Sequence, residues 1–111
     1  MRICIRSNTI QPMNSIRLLP EFSRWLSGLR DHTVRIRLAR RLEKAQAGNL
    51  GDVAPVGDGV MEMREHFGAG WRMYYVQRGA VVIVMLGGGD KSTQRKDIET
   101  AKERAGTLEG E

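Results

Sequence analysis

VMEMREHFGAGWRMYYVQRGAVVIVML, residues 60–86, is the stretch that decides the fold. Its apolar residues alternate instead of recurring at helical spacing, and turn formers cut it into three pieces. Val60–His66, Gly70–Gln77 and Ala80–Leu86 are expected as β-strands, with Phe67-Gly68-Ala69 and Arg78-Gly79 as the turns between them. The run VVIVML is apolar at every position, the pattern of a central strand covered on both faces. A loop of Phe67, Gly68 and Ala69 sets Arg64 opposite Arg72, Met63 opposite Met73 and Met61 opposite Tyr75. One face then carries Met61, Met63, Trp71, Met73 and Tyr75, and the other Glu62, Arg64, His66, Arg72 and Tyr74. A slip of one residue would mix the apolar and charged sets, so the register is strongly specified.

Upstream of this meander the period is helical. Ile16–Leu19 is expected as a short first strand, followed by Pro20, a favoured first helical residue. Phe22, Trp25, Leu26 and Leu29 form one apolar stripe on a helix that should end near Arg30. Asp31 is the expected N-cap of a second helix, with Val34, Leu38, Leu42 and Ala45 as its buried stripe and Gly48-Asn49 as its stop. The near absence of a linker suggests that the two helices form an antiparallel hairpin. Residues 49–59, NLGDVAPVGDG, are rich in turn formers and read as a loop. Downstream, Ser92 to Arg104 has a helical pattern with Ile98, Ala101 and Ala105 on one side and Ser92 or Thr93 as cap. Residues 1–13 are expected to be a mobile extension, 14–106 the folded domain and 107–111 a frayed tail. The expected class is α+β: an N-terminal strand and helical hairpin on a small, mainly antiparallel sheet, with a C-terminal helix.

A chain of 111 residues suits one domain with one core. Its one cysteine, Cys4, rules out an internal disulfide, and no Cys/His spacing suggests zinc. No apolar run approaches the roughly 20 residues of a membrane span, and the N-terminus lacks a continuous apolar signal core. Cytoplasmic location and no membrane association are the expectations. The net charge of +5 and pI of about 10.0 favour a polyanionic or acidic partner.

Four stretches together resemble the HigB-like branch of the RelE/ParE toxins, often called addiction-module killer proteins. They are FSRWL (Phe22–Leu26), AGNLGDVAPVGDGVMEMR (Ala47–Arg64), GAGWRMYY (Gly68–Tyr75) and LGGGDKSTQRKDI (Leu86–Ile98). The resemblance covers roughly residues 16–105. It implies a RelE-like fold and the toxin of a type II toxin–antitoxin pair that cleaves messenger RNA on the ribosome. It also implies a cognate antitoxin, usually a helix-turn-helix protein through which alone operator DNA would be bound. ParE relatives share the fold but poison gyrase, and an inactive homologue would only occupy its antitoxin, so both alternatives stay open. Two departures are the extension at residues 1–13 and Trp71, where tyrosine is common.

Two arginines directly across a strand pair repel each other by up to about 1 kcal/mol, which an anion gripped between them would offset. The opposing reading is that each pairs with a carboxylate, with Glu62 and Glu65 in reach. The run GGGDKSTQ (Gly87–Gln94) is read as a strand-to-helix turn whose glycines admit a close ligand and whose helix end favours phosphate. The RelE-type reaction uses the substrate's own 2′-hydroxyl and calls for a base, cations and an acid, with no metal or other cofactor. Under that reading Arg72 and Arg64 hold the scissile phosphate, Lys91 supplies charge or a proton, and His66 and Asp90 are candidate acid/base groups. Tyr74 stacks a base or positions the phosphate, with Gln94 beside it. The reading of His66 that the sequence favours is a plain hairpin residue, ahead of a catalytic one, and His32 reads as structural. Arg37, Arg40, Arg41 and Lys44 form a basic arc on the second helix, either a solvated face or a contact for ribosomal RNA.

Overall fold

A computed structural model describes residues 13–108; the expected extension before Met13 and the last residues, 109–111, lie outside the described residues. The elements run β1 (Ser15–Leu18), α1 (Pro20–Ser27), α2 (His32–Gln46), β2 (Val53–Gly57), β3 (Val60–Arg64), β4 (Arg72–Arg78), β5 (Val82–Gly89) and α3 (Gln94–Thr107), with a 3-10 turn at Lys91–Thr93 leading into α3. The five strands form one sheet in the order β1-β5-β4-β3-β2. β1 runs parallel to β5, and the other neighbours are antiparallel. The class is therefore α+β with a mixed, mainly antiparallel sheet.

The sheet is covered on both faces, as the apolar run of β5 requires. On one side Phe22 of α1 and Val34, Leu38 and Ala45 of α2 pack with Met63, Met73, Tyr75, Ile83 and Met85. On the other, Ala101 and Ala105 of α3 and Leu108 pack with Val60, Tyr74, Val76, Val84 and Leu86. Alternate residues of β5 thus enter opposite cores, and each fully buried side chain of this size contributes about 1.5–3 kcal/mol. Asp31 caps α2, its Oδ1 accepting from the backbone N–H groups of Thr33 at 2.9 Å and Val34 at 3.3 Å. Gly48, at φ 99°, takes the left-handed conformation that ends the helix.

Four expectations need correction. The 49–59 loop contains a strand, β2, paired with β3 from Val53↔Met63 to Gly57↔Val60. Pro55 hid it, because proline cannot donate to a ladder; here β2 is an edge strand, where proline is tolerated, and its pairing shifts at a bulge between Pro55 and Gly57. α1 ends at Ser27, before Arg30. β5 continues past Leu86 to Gly89, so the three glycines lie within a strand and not in a turn. α3 runs to Thr107, and Leu108 is buried in the second core, so the frayed tail does not begin at residue 107.

Close packing explains the glycines. A Cβ on Gly88 would stand 2.4 Å from the Trp25 ring, and one on Gly89 would stand 1.9 Å from the Asp97 carboxylate. At Gly87 a Cβ would meet Arg104 Nη1 at 2.8 Å. That guanidinium donates to the Leu86 carbonyl at 2.7 Å, where the β4–β5 ladder skips Leu86 between Tyr75↔Met85 and Tyr74↔Gly87.

Candidate active site at the tip of the β3–β4 hairpin

The β3–β4 register matches the sequence reading: Arg64 stands opposite Arg72, Met63 opposite Met73 and Met61 opposite Tyr75. Beyond the last pair, the Glu65 N–H donates to the Trp71 carbonyl at 2.9 Å, and the Gly70 N–H closes the tip on Phe67 at 3.0 Å. The Lys91 N–H reaches the Ala69 carbonyl at 3.3 Å, tying the turn before α3 to this loop. A Cβ on Gly70 would touch the Lys91 stem at 3.3 Å and Arg72 Nη1 at 3.8 Å, so the aliphatic stem of Lys91 and the Arg72 guanidinium flank this glycine.

The two arginines end in different surroundings. Arg72 is only 7% exposed, with its Nε 3.9 Å from Glu62 Oε2. Its Nη1 donates to the carbonyls of Glu65 and Trp71, each at 3.2 Å. Glu62, 2% exposed, accepts from the Tyr74 hydroxyl at 3.1 Å and from Gln94 Nε2 at 2.8 Å. Burial, with the Glu62 carboxylate second, pushes the Tyr74 hydroxyl well above its ordinary pKa. Arg64 is instead half-exposed and donates to Asp52 Oδ1 at 3.3 Å. The other oxygen of Asp52 lies 2.6 Å from His66 Nε2, and the His66 side chain is 70% exposed. The His66 hydrogen bond, then that of Arg64, holds the Asp52 carboxyl below its ordinary range.

Each arginine therefore has its own carboxylate, and the pair does not require an anion to explain it. One polar atom on each is still unanswered: the Nε of Arg64 and the Nε of Arg72 are buried without a hydrogen-bond partner.

The remaining candidates separate in the same way. Tyr74 is fully buried and cannot stack a base. Gln94 is committed to Glu62. Arg41 leaves the basic arc for the interior: it pairs with Glu65 and donates to the carbonyls of Leu50, Asp52 and Arg64 between 2.8 and 3.2 Å, locking α2 to β3. Arg37 lies over the Phe67 ring at 3.8 Å, a cation–π contact, and stays exposed with Arg40 and Lys44. These cations and Glu65 border a depression of about 220 Å³. Lys91 is exposed beside the tip. Asp90 accepts from the Ser92 N–H at 2.8 Å and hydroxyl at 2.5 Å, contacts that hold its carboxyl low. Its carboxylate caps the 3-10 turn at Lys91–Thr93, while Thr93, the N-cap of α3, makes no side-chain capping bond. His32 meets Arg35 at 2.6 Å, apart from this cluster.

Three residues of the site were not singled out as functional by the sequence: Asp52, Glu62 and Glu65. Asp52 sits in a segment read as loop and meets its partners only because β2 pairs with β3. Alternation alone placed Glu62 on the Arg72 face, but nothing local marked it as buried. Among the described residues, no group of three or more His, Cys, Asp or Glu side chains is placed to share a metal ion.

Residues 24–106 match the family described as Phage derived protein Gp49-like (DUF891). The chain belongs to the Gp49-like family. This is a RelE/toxin-like family, which makes the toxin of a toxin–antitoxin pair the function it suggests and a cognate antitoxin the partner it implies. The Gp49-like chain is also 42% identical over 81 residues to an uncharacterized protein of Haemophilus influenzae (strain ATCC 51907 / DSM 11121 / KW20 / Rd), a match spanning 73% of this chain and 82% of that protein. Asp52, Arg64, His66, Arg72 and Lys91 all fall within residues 24–106, the part that matches the Gp49-like family. Among the described residues no helix is long and apolar enough to cross a membrane.

Proposed function

We propose that this Gp49-like protein is a HigB-like toxin that cleaves messenger RNA on the ribosome, with the exposed His66–Asp52 pair as its proton-handling centre. The observation that carries this reading is the 2.6 Å contact between His66 Nε2 and Asp52, beside Arg64 and at a solvent-open tip. A carboxylate on one ring nitrogen fixes the imidazole's orientation and tautomer, leaving Nδ1 for the substrate. In the reaction, Nδ1 takes the proton of the 2′-hydroxyl as that oxygen attacks phosphorus. The bond to the 5′-oxygen breaks, and the imidazolium returns the proton to it. The products are a 2′,3′-cyclic phosphate and a 5′-hydroxyl. Arg64 and Lys91 offset the charge on the phosphorane, and Arg72 supports the tip from beneath. Arg37, Arg40 and Lys44 supply a basic surface for the ribosome. A helix-turn-helix antitoxin is the expected neutralising partner, and the cytoplasm the expected location.

Inducible expression with and without the adjacent reading frame, followed by mapping of RNA 5′ ends, tests this. Growth arrest with new 5′-hydroxyl ends in translated messages is the expected result. Arrest with gyrase–DNA adducts and intact messages would overturn it in favour of a gyrase-directed toxin. That second reading draws on the interior placement of Arg72 and Tyr74, which removes two expected RNA contacts from the surface.

A further inference from the structure

We infer that one face of α3, carrying Arg95 and Lys102 in line with Lys91, is a second track for a single-stranded phosphodiester chain. This inference rests on the proposed RNA-cleaving function and names where substrate flanking the cut would lie. Lys91, Arg95, Ile98 and Lys102 border a shallow depression of about 530 Å³, together with Ser92, Gln94 and Glu99. Arg95, Ile98 and Lys102 follow helical spacing, so they share one face of α3. Lys91 starts the line at the hairpin tip, where its backbone bonds Ala69. Lys102 ends it near β2: a Cβ on Gly57 would lie 3.0 Å from its Nζ, so that glycine keeps the space open.

Solvated lysines are common, and charge alone would not mark a track. Pairing separates this face from an ordinary one. The ion pairs among the described residues engage Arg41, Arg64, His66 and Arg72, and none engages Lys91, Arg95 or Lys102. A single carboxylate, Glu99, borders the depression with them, and it forms none of those pairs. By contrast, Asp97 and Arg104 of the same helix are turned inward, accepting from the Thr93 hydroxyl at 2.5 Å and donating to Leu86 respectively. Within α3, Asp97 and Arg104 are committed on the sheet side, whereas Arg95 is exposed and Lys102 half-buried, both without an ion pair among the described residues. An acidic protein would also be attracted, but a protein interface buries an apolar centre, and Ile98 alone offers little of one. A flexible polyanion needs only cations in file.

The probe is a 2′-O-methyl oligouridine, which the full chain binds but cannot cleave because the attacking hydroxyl is blocked. Binding is followed across a salt series for the wild type, for Arg95→Gln/Lys102→Gln, and for Arg24→Gln/Lys96→Gln, which removes equal charge from other exposed positions. The track predicts affinity reduced on the order of tenfold in the first variant at low salt, with a salt slope shallower by about 1.4. The control should change by less than about twofold in affinity. Wild-type binding with equal losses in both variants would overturn the track alone. Unchanged oligonucleotide binding with loss of a co-purifying acidic protein would overturn it in favour of a protein surface. Failure of the wild type to bind at all would overturn the track, whereas the RNA-directed function itself is overturned by intact messages in the mapping of RNA 5′ ends.

Discussion

Arg64 and Arg72 face each other across one rung of the β3–β4 ladder, yet one belongs to the surface and the other to the interior. Register sets which residues are neighbours, but the elements above the sheet decide which are buried. The first residue of α3, Gln94, reaches Glu62 and closes over the Arg72 side, sealing Glu62, Tyr74 and Arg72 together. On the Arg64 side the covering group is only Asp52, and His66 stays open to water. The difference teaches that one arginine chiefly builds the tip while the other stays at the surface. A desolvated cation is maintained by its partners, whereas an exposed pair contributes little to stability and is free for chemistry.

That contrast can be broken at its buried half first. Removing Glu62 leaves Arg72 as an uncompensated buried charge, so Glu62→Ala should cost about 3–5 kcal/mol in urea unfolding; a loss under about 1 kcal/mol would mean that Arg72 reaches water. Next comes Gly88→Ala, which drives a methyl into the Trp25 ring and should cost about 1–3 kcal/mol without touching the exposed pair. Tyr74→Phe should cost about 1 kcal/mol while leaving oligonucleotide affinity unchanged; a selective loss of binding would restore Tyr74 to the surface. Because Tyr74 ionises less readily when folded, its contribution is full below its ordinary pKa of 10.0 and falls as pH rises past it. The Phe variant should flatten that alkaline limb.

The smallest effect on stability belongs to the exposed half. Asp52 has its carboxyl held below the ordinary 3.8, so its contribution is present above that pH and is lost as pH falls through the lower folded value. Asp52→Asn should flatten only this acid limb, read by thermal unfolding between neutral and strongly acidic pH. An equal loss at neutral pH would make the pair structural.

The sequence made the hairpin legible because alternation of period two leaves one register that keeps charges and methionines apart. It also made β5 legible as the doubly covered strand. β2 was obscured by Pro55 and flanking glycines, whose turn chemistry outweighs weak strand propensity until an edge position is known. In the sequence, Gly87, Gly88 and Gly89 suggest a turn that admits a close ligand, whereas they accommodate Arg104, Trp25 and Asp97, side chains brought in by α3 and α1. The same distance concealed the Asp52–His66 pair and the Glu62–Gln94 bond, which link residues 14 and 32 positions apart. Arg41 looked like its neighbours Arg37 and Arg40 on α2, and only the docking of β2 and β3 beneath it shows that its guanidinium is committed.

The most direct measurement is the rate of message cleavage by His66→Gln in a translating extract, beside wild type and Asp52→Asn. The account predicts that His66→Gln unfolds within about 0.5 kcal/mol of wild type but cleaves at least about 100-fold more slowly, with Asp52→Asn intermediate and shifted in its pH–rate profile. Wild-type cleavage by a folded His66→Gln protein would contradict it.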